Sequence, residues 1–199
     1  MIKGSEFMTI VGFVRHGVTG WNKEGREQGR IDIPLDDEGI EMAERVAKRL
    51  ADQRWDVIFT SPLIRAKKTA EIIAAKKPEL PLHVDDRLCE TSGGFIEGTT
   101  EAERIAKWGA AWRKLDLGRE PSDKMIARGM EFIEEINRMY STQRVLIVSH
   151  GSYIGKLVKA LLPDGNFEEE LQNTSLTIVH MKRDRNFCAL YNCTKHLRL

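Results

Sequence analysis

The chain has 199 residues, with 31 Lys and Arg against 30 Asp and Glu and five His. That balance argues against a protein built mainly to hold nucleic acid, which carries a basic excess, and no apolar run approaches the ~18 residues needed to span a bilayer. Cys89, Cys188 and Cys193 show no CxxC spacing, which argues against a disulfide framework or a four-cysteine zinc site and for a reducing, cytoplasmic compartment.

In chain order, residues 1–7 come first. Gly4-Ser5-Glu6-Phe7 reads as translated cloning sites before a second methionine, so residues 1–7 are expected to be a vector-derived remnant and 8–199 a single domain. Ile10-Val11-Gly12-Phe13-Val14 is a compact β-type run. Ile40, Ala43, Val46, Ala47 and Leu50 then repeat at helical spacing, with Asp36 or Asp37 placed to cap. Val57–Thr60 is a second strand, and Ser61-Pro62 predicts a helix start, a capping residue followed by proline at the first helical position. Residues 99–120 predict a small helical cap with Ile105, Trp108 and Trp112 on one face, weakened by Gly109. Its tryptophans fit a satellite core better than substrate contacts. Met125, Met130, Ile133, Ile136 and Met139 mark a long helix before the wholly apolar strand Val145-Leu146-Ile147-Val148. Ile154, Leu157, Val158 and Leu161 mark another helix after it. Thr177–Val179 and Phe187–Tyr191 predict a closing hairpin. Continuous apolar runs fit strands covered on both faces. The fold class expected is α/β, a three-layer sandwich with a mostly parallel central sheet flanked by helices, plus the cap.

Ligands of open α/β sheets bind at the carboxyl ends of the strands. There the first strand runs into Arg15-His16-Gly17, the strand at 145–148 into Ser149-His150-Gly151, and Val57–Thr60 into a segment that puts Arg65 in the first turn of a helix. Each residue alone has a structural explanation; two histidines and two arginines at one sheet edge do not. No His-x-x-x-His or His-x-His pair is present to anchor a metal. Guanidiniums beside the imidazoles would repel a cation and attract an anion, and arginine suits forked contacts with phosphate oxygens. The N–H groups of a helix beginning at Ser61 would add to the pull.

Val14-Arg15-His16-Gly17-Val18-Thr19-Gly20-Trp21-Asn22 resembles the signature of the phosphoglycerate-mutase-like histidine phosphatases. The likeness continues through Gln28-Gly29, Asp32, Pro34-Leu35, Gly39, Ser61-Pro62-Leu63, Arg65-Ala66, Thr69-Ala70, Leu88-Cys89-Glu90, Gly94 and Glu97-Gly98. It ends at Ser149-His150-Gly151 and Asn173. Two blocks depart from the pattern, at Arg119-Glu120-Pro121-Ser122 and at Ile96, both near the cap. The resemblance implies a phosphohistidine mechanism: His16 as nucleophile, Arg15, Arg65 and His150 around the phosphoryl oxygens, and Glu90 as general acid with its proton held near neutral pH. Asn22, Gln28 and Gly29 would contribute to phosphate binding, and Glu97 would hold the loop. No metal or cofactor is called for. Lys23, Arg26 and Arg30 are read as a solvated basic loop, the alternative being that they hold a second anionic group of the substrate.

The activity implied is a metal-independent phosphomonoesterase acting on a small phosphorylated metabolite, by a monomer or homodimer without nucleic-acid or membrane partners. The alternatives are a cofactor-dependent phosphoglycerate mutase, whose relatives tend to be longer, and a specialised phosphatase such as one for α-ribazole phosphate. The remaining one is an inactive phosphate-ester-binding module, disfavoured because all five catalytic positions are kept.

Overall fold

The computed structural model describes residues 8–198, so the segment 1–7 expected to be vector-derived lies outside it. Six strands form one sheet in the order β3-β2-β4-β1-β5-β6. They are β1 (Met8–Arg15), β2 (Val57–Thr60), β3 (Leu82–Val84), β4 (Arg144–Ser149), β5 (Leu176–Lys182) and β6 (Phe187–Cys193). The first four run parallel, and the closing hairpin adds β5 antiparallel to β1 and β6 antiparallel to β5.

Strand alternation divides the core. Val11, Phe13, Val145, Ile147 and Val179 point to one face. They pack against α5 (Ser122–Met139) and α6 (Gly151–Leu161) through Phe132, Ile133, Ile136, Ile154, Leu157 and Val158. Val14, Leu146, Val148, Ile58 and Leu176 point to the other. There, beyond the short α1 (Gly20–Glu24) that follows β1, they meet α2 (Asp37–Ala51) and α3 (Ile64–Ala74) through Val46, Leu50, Ala66, Ala70 and Ile73. Each such side chain withdrawn from water contributes roughly 1.5–3 kcal/mol. The result is the expected three-layer sandwich. The pattern placed α5 correctly, but Met139 is exposed while Phe132 carries the buried stripe.

Two local expectations are corrected. Asp36 caps α2 by accepting from Gly39 N–H at 2.8 Å, whereas Ser61 does not cap α3. That helix starts at Ile64 with Leu63 as its N-cap, and its first N–H donates to Asp32 Oδ1 at 2.6 Å. A distant carboxylate has taken the helix terminus that was expected to serve phosphate. In the cap, α4 (Glu101–Trp108) stops at Gly109, where φ is +80°, and Trp112 sits in a separate 3₁₀ turn, Trp112–Lys114. Ile105 is exposed; the packed cluster is Ile96, Trp112 and Leu117, with Trp108 against it. The single face expected of Ile105, Trp108 and Trp112 is therefore broken by the glycine.

Candidate active site

Register brings the two histidines together. Arg15 on β1 pairs with Ser149 on β4, so the next residue of each strand, His16 and His150, leaves the same edge side by side. Their ring centroids lie 5.3 Å apart. His16 is pinned by its own N–H to Ser149 O (3.0 Å) and by Asn173 Nδ2, which donates to His16 O at 2.9 Å. Its Nδ1 lies 2.6 Å from the Gly17 carbonyl. A carbonyl only accepts, so Nδ1 carries the proton and Nε2 keeps its lone pair.

Arg65 is 1 % exposed. It is aimed by two backbone carbonyls, through NH1 to Ile31 O (2.9 Å) and NH2 to Gly29 O (2.7 Å). Gly29 holds φ at +50°, and a Cβ there would come within 2.0 Å of Glu97 Oε1, so only glycine can present that carbonyl. Glu97 in turn accepts from Arg30 N–H and Gly93 N–H. Arg15 donates through NH1 to the Leu171 carbonyl and faces Glu170 at 3.6 Å. A Cβ on Gly151 would press within 3.1 Å of Arg15 Nε, which is why a residue without a side chain follows His150. The Nε atoms of Arg15 and Arg65 and Nδ1 of His150 are buried without a hydrogen-bond partner among the described residues.

Glu90 follows the 3₁₀ turn Asp86–Leu88, which is tied to the end of β4 by Ser149 Oγ donating to Leu88 O at 2.7 Å. Its carboxylate receives Thr91 N–H (2.7 Å) and Tyr153 N–H (2.9 Å) on Oε1 and Ser152 N–H (3.1 Å) on Oε2. It thereby caps α6 from a distant loop, and Arg128 fixes its backbone through Glu90 O at 3.3 Å.

Arg15, His16, Asn22, Gln28, Gly29, Arg65 and Glu90 line one cavity of about 190 Å³. His150 is fully buried one layer deeper, with Nε2 2.8 Å from Ser61 Oγ. Asn22 Oδ1 receives Thr19 N–H (3.2 Å), and Gln28 Oε1 faces Thr19 Oγ1 (3.1 Å), which leaves their NH2 ends as donors. The basic loop is paired: Lys23 with Asp36 and Glu38, Arg26 with Glu24 and Glu103, Arg30 with Glu120. Sequence reading missed Ser61 as the partner of His150, Arg128 as the clamp on Glu90, and Glu27, Ser152 and Glu170 as cavity walls. Glu27, Ser152 and Glu170 carry no pattern of their own that marks them, and Ser61 stands in the family-like Ser61-Pro62-Leu63 block, which gives it no stated role. Among the described residues no group of three or more His, Cys, Asp or Glu is placed to hold a metal ion, and no helix is long and apolar enough to cross a membrane.

Residues 11–194 match the family model of the histidine phosphatase superfamily, branch 1. The chain belongs to that superfamily. It is 36% identical over 169 residues to the uncharacterized phosphatase PhoE of Bacillus subtilis, covering 85% of this chain and 84% of that protein. It is 34% identical over 178 residues to phosphoglycerate mutase-like protein 4 of Arabidopsis thaliana, at 84% and 77% coverage. The solved structure of Bacillus stearothermophilus YhfR superposes with a TM-score of 0.85 at 30% identity, over 95% of this chain and 99% of that one. Membership places the chain among phosphoric monoester hydrolases.

Burial sets the protonation state of this histidine phosphatase. Desolvation holds both His16 and His150 well below the usual imidazole value, with Arg65 and Arg15 repelling a further proton in each case. Desolvation likewise lowers His180 and takes His196 to about 4. These groups bind protons in the unfolded chain before they do so in the folded one, so acid favours unfolding. Melting temperature without phosphate should therefore fall as pH drops from about 6.5 toward 5. A melting temperature constant across that window would contradict neutral buried imidazoles.

Proposed function

We propose that this chain is a metal-independent phosphomonoesterase that passes the phosphoryl group of a small phosphorylated metabolite through His16 to water. The observation that carries this reading is His16, whose Nδ1 is tied to the Gly17 carbonyl and which shares one cavity with the guanidiniums of the buried Arg65 and the part-buried Arg15. The Nε2 lone pair attacks phosphorus in line, the bond from phosphorus to the alcohol oxygen breaks, and its electron pair leaves with that oxygen. Arg15 and Arg65 stabilise the charge spread over the equatorial oxygens, and in phosphoryl transfer that electrostatic term is the main one a protein supplies. Leu63 N–H donates to Ser61 Oγ at 3.3 Å. The same hydroxyl lies 2.8 Å from His150 Nε2 and holds that ring, kept neutral by burial, beneath the phosphoryl group.

Glu90 acts as acid and then as base. Its Oε1 already accepts two N–H groups and Oε2 one, so Oε2 is the oxygen that carries the proton to the departing alkoxide. The same oxygen then takes a proton from water as that water attacks phosphorus. The bond to Nε2 breaks, and inorganic phosphate and neutral His16 are left. The guanidiniums do the neutralising that a divalent cation does elsewhere. The small phosphate-ester substrate and the three free thiols fit the cytoplasm.

The test is one assay in EDTA. Phosphate release from p-nitrophenyl phosphate and 3-phosphoglycerate is compared with isomerisation of 3-phosphoglycerate in the presence of 2,3-bisphosphoglycerate. Release is expected to persist in EDTA and to exceed isomerisation. Efficient isomerisation with negligible release would make the chain a mutase, and activity lost in EDTA but restored by Mg²⁺ would overturn the guanidinium clamp.

A further inference from the structure

The peptide between Arg15 and His16 is held from two sides. Its N–H donates to Ser149 O on β4, and its carbonyl accepts from Thr174 N–H at 2.9 Å. The same Thr174 N–H reaches His16 O at 3.3 Å, beside the Asn173 Nδ2 contact described above. Thr174 belongs to the turn 172–175, which Ser175 N–H closes on Gln172 O at 3.0 Å. Gln172 is fixed in turn by its N–H to Asn192 Oδ1 at 2.8 Å.

Thr174 takes the third place of that turn with φ at +55°. There glycine is the ordinary choice and a β-branched residue is an outlier, which persists only where its surroundings hold it. The residue is fully buried, and its hydroxyl meets His196 Nε2 at 3.1 Å. Glycine would take this φ without strain but would give His196 nothing to hold.

His196 lies in the 3₁₀ turn Lys195–Leu197 that follows β6. Its Nδ1 is 3.1 Å from Nη1 of Arg49, on α2. A guanidinium only donates, so Nδ1 accepts, Nε2 carries the ring's proton and Thr174 Oγ1 receives it. Arg49 is anchored by Cys193, through Nη1 to its carbonyl at 3.0 Å and Nη2 to its Sγ at 3.3 Å. Desolvation, with Arg49 and Arg45 nearby, brings the His196 pKa down to about 4, so the neutral donor is present at neutral pH.

We propose that His196 is a positioning residue for the nucleophile, acting through the Thr174 hydroxyl on the peptide between Arg15 and His16. The assignment rests on the phosphomonoesterase reading above and adds to it a side chain that does not line the phosphate cavity. Without that contact Thr174 relaxes out of the left-handed region and its N–H leaves the Arg15 carbonyl. His16 then loses the fixed aim that in-line attack needs.

The test is the first turnover of p-nitrophenyl phosphate, read as nitrophenol released when His16 takes the phosphoryl group. His196→Ala and Thr174→Val should each slow it about 10- to 100-fold, the scale of a misplacement of up to about 1 Å. The inhibition constant of inorganic phosphate should stay within about threefold, because Arg65 is aimed by Gly29 O and Ile31 O and bonds to neither residue. His196→Gln should recover most of the rate, since an amide offers Arg49 an acceptor and Thr174 a donor in one plane. Combining His196→Ala with Thr174→Val should cost no more than either alone, because both remove the same bond.

Losses that multiply in the double variant, a glutamine variant as slow as the alanine one, or single variants within about twofold of native overturn the assignment. Should His196→Ala fail to fold, Thr174→Val and His196→Gln, closer to native shape, decide the question. Nitrophenol release by the native chain separates the failures. If the native chain releases it and the variants match that rate, only this assignment falls; if the native chain releases none, the phosphomonoesterase reading falls too.

Discussion

Replacing His16 with alanine should remove both turnover and the phosphoryl label that the native chain takes up from a radioactive ester. The expected loss in kcat is about 10⁴-fold or more, the scale seen when a covalent nucleophile is deleted. No neighbour can take over. His150 is the only other imidazole at the site among the described residues, but its Nε2 is engaged by Ser61 and it is fully buried and not among the residues lining the cavity. Ser61 and Thr69 are fully buried, and the hydroxyl of Ser152, on the cavity wall, has no hydrogen-bonded base among the described residues. The measurement is a rapid-quench experiment with labelled ester, followed by treatment in acid and in base, because a phosphoryl group on nitrogen is lost in acid and one on serine oxygen is not. A His16→Ala protein that still takes up an acid-labile label would put the nucleophile elsewhere.

Arg65→Ala should lower kcat by about 10²–10³-fold, the cost of one donor aimed at developing charge. The side chain has a second duty, since its two hydrogen bonds to Gly29 O and Ile31 O tie the 29–31 loop to α3. A loss of melting temperature should accompany the loss of rate. Arg65→Lys separates the duties: it restores charge but cannot reach two carbonyls and a phosphoryl oxygen at once, because an ammonium lacks the planar fork. It should recover stability in part and rate hardly at all. A kcat within tenfold of native for Arg65→Ala would remove the guanidinium from the transferring oxygens.

What could be read in the sequence follows from which interactions are local. The apolar runs of β1, β2 and β4, the hairpin and the stripes of α2, α5 and α6 are periodic, and period is enough to orient a face. The neighbourhood of Arg15, His16, Arg65 and His150 followed from strand ends in a parallel sheet. The true start of α3 did not follow, because Ile64 N–H is answered by Asp32, 32 residues away, and a local capping pattern at Ser61-Pro62 concealed that. Nor did the occupation of Glu90 by the amides of α6, or the clamp of Arg128 on its loop. Trp112 was expected beside Trp108 on one helix face, but Gly109 turns the chain between them. In each case a long-range polar contact or one left-handed residue overrode a short-range signal.

The pairing of Arg15 with Ser149 means that the spacing of the two imidazoles is inherited from the sheet's own ladder of amides and carbonyls. Such a ladder is indifferent to side-chain identity at the rim. The segments that border the cavities, around Glu27 and through the cap, can therefore be exchanged or lengthened while His16 stays where it is. New substrates become accessible to such a scaffold by replacing its borders, with no need to rebuild the step that breaks the ester.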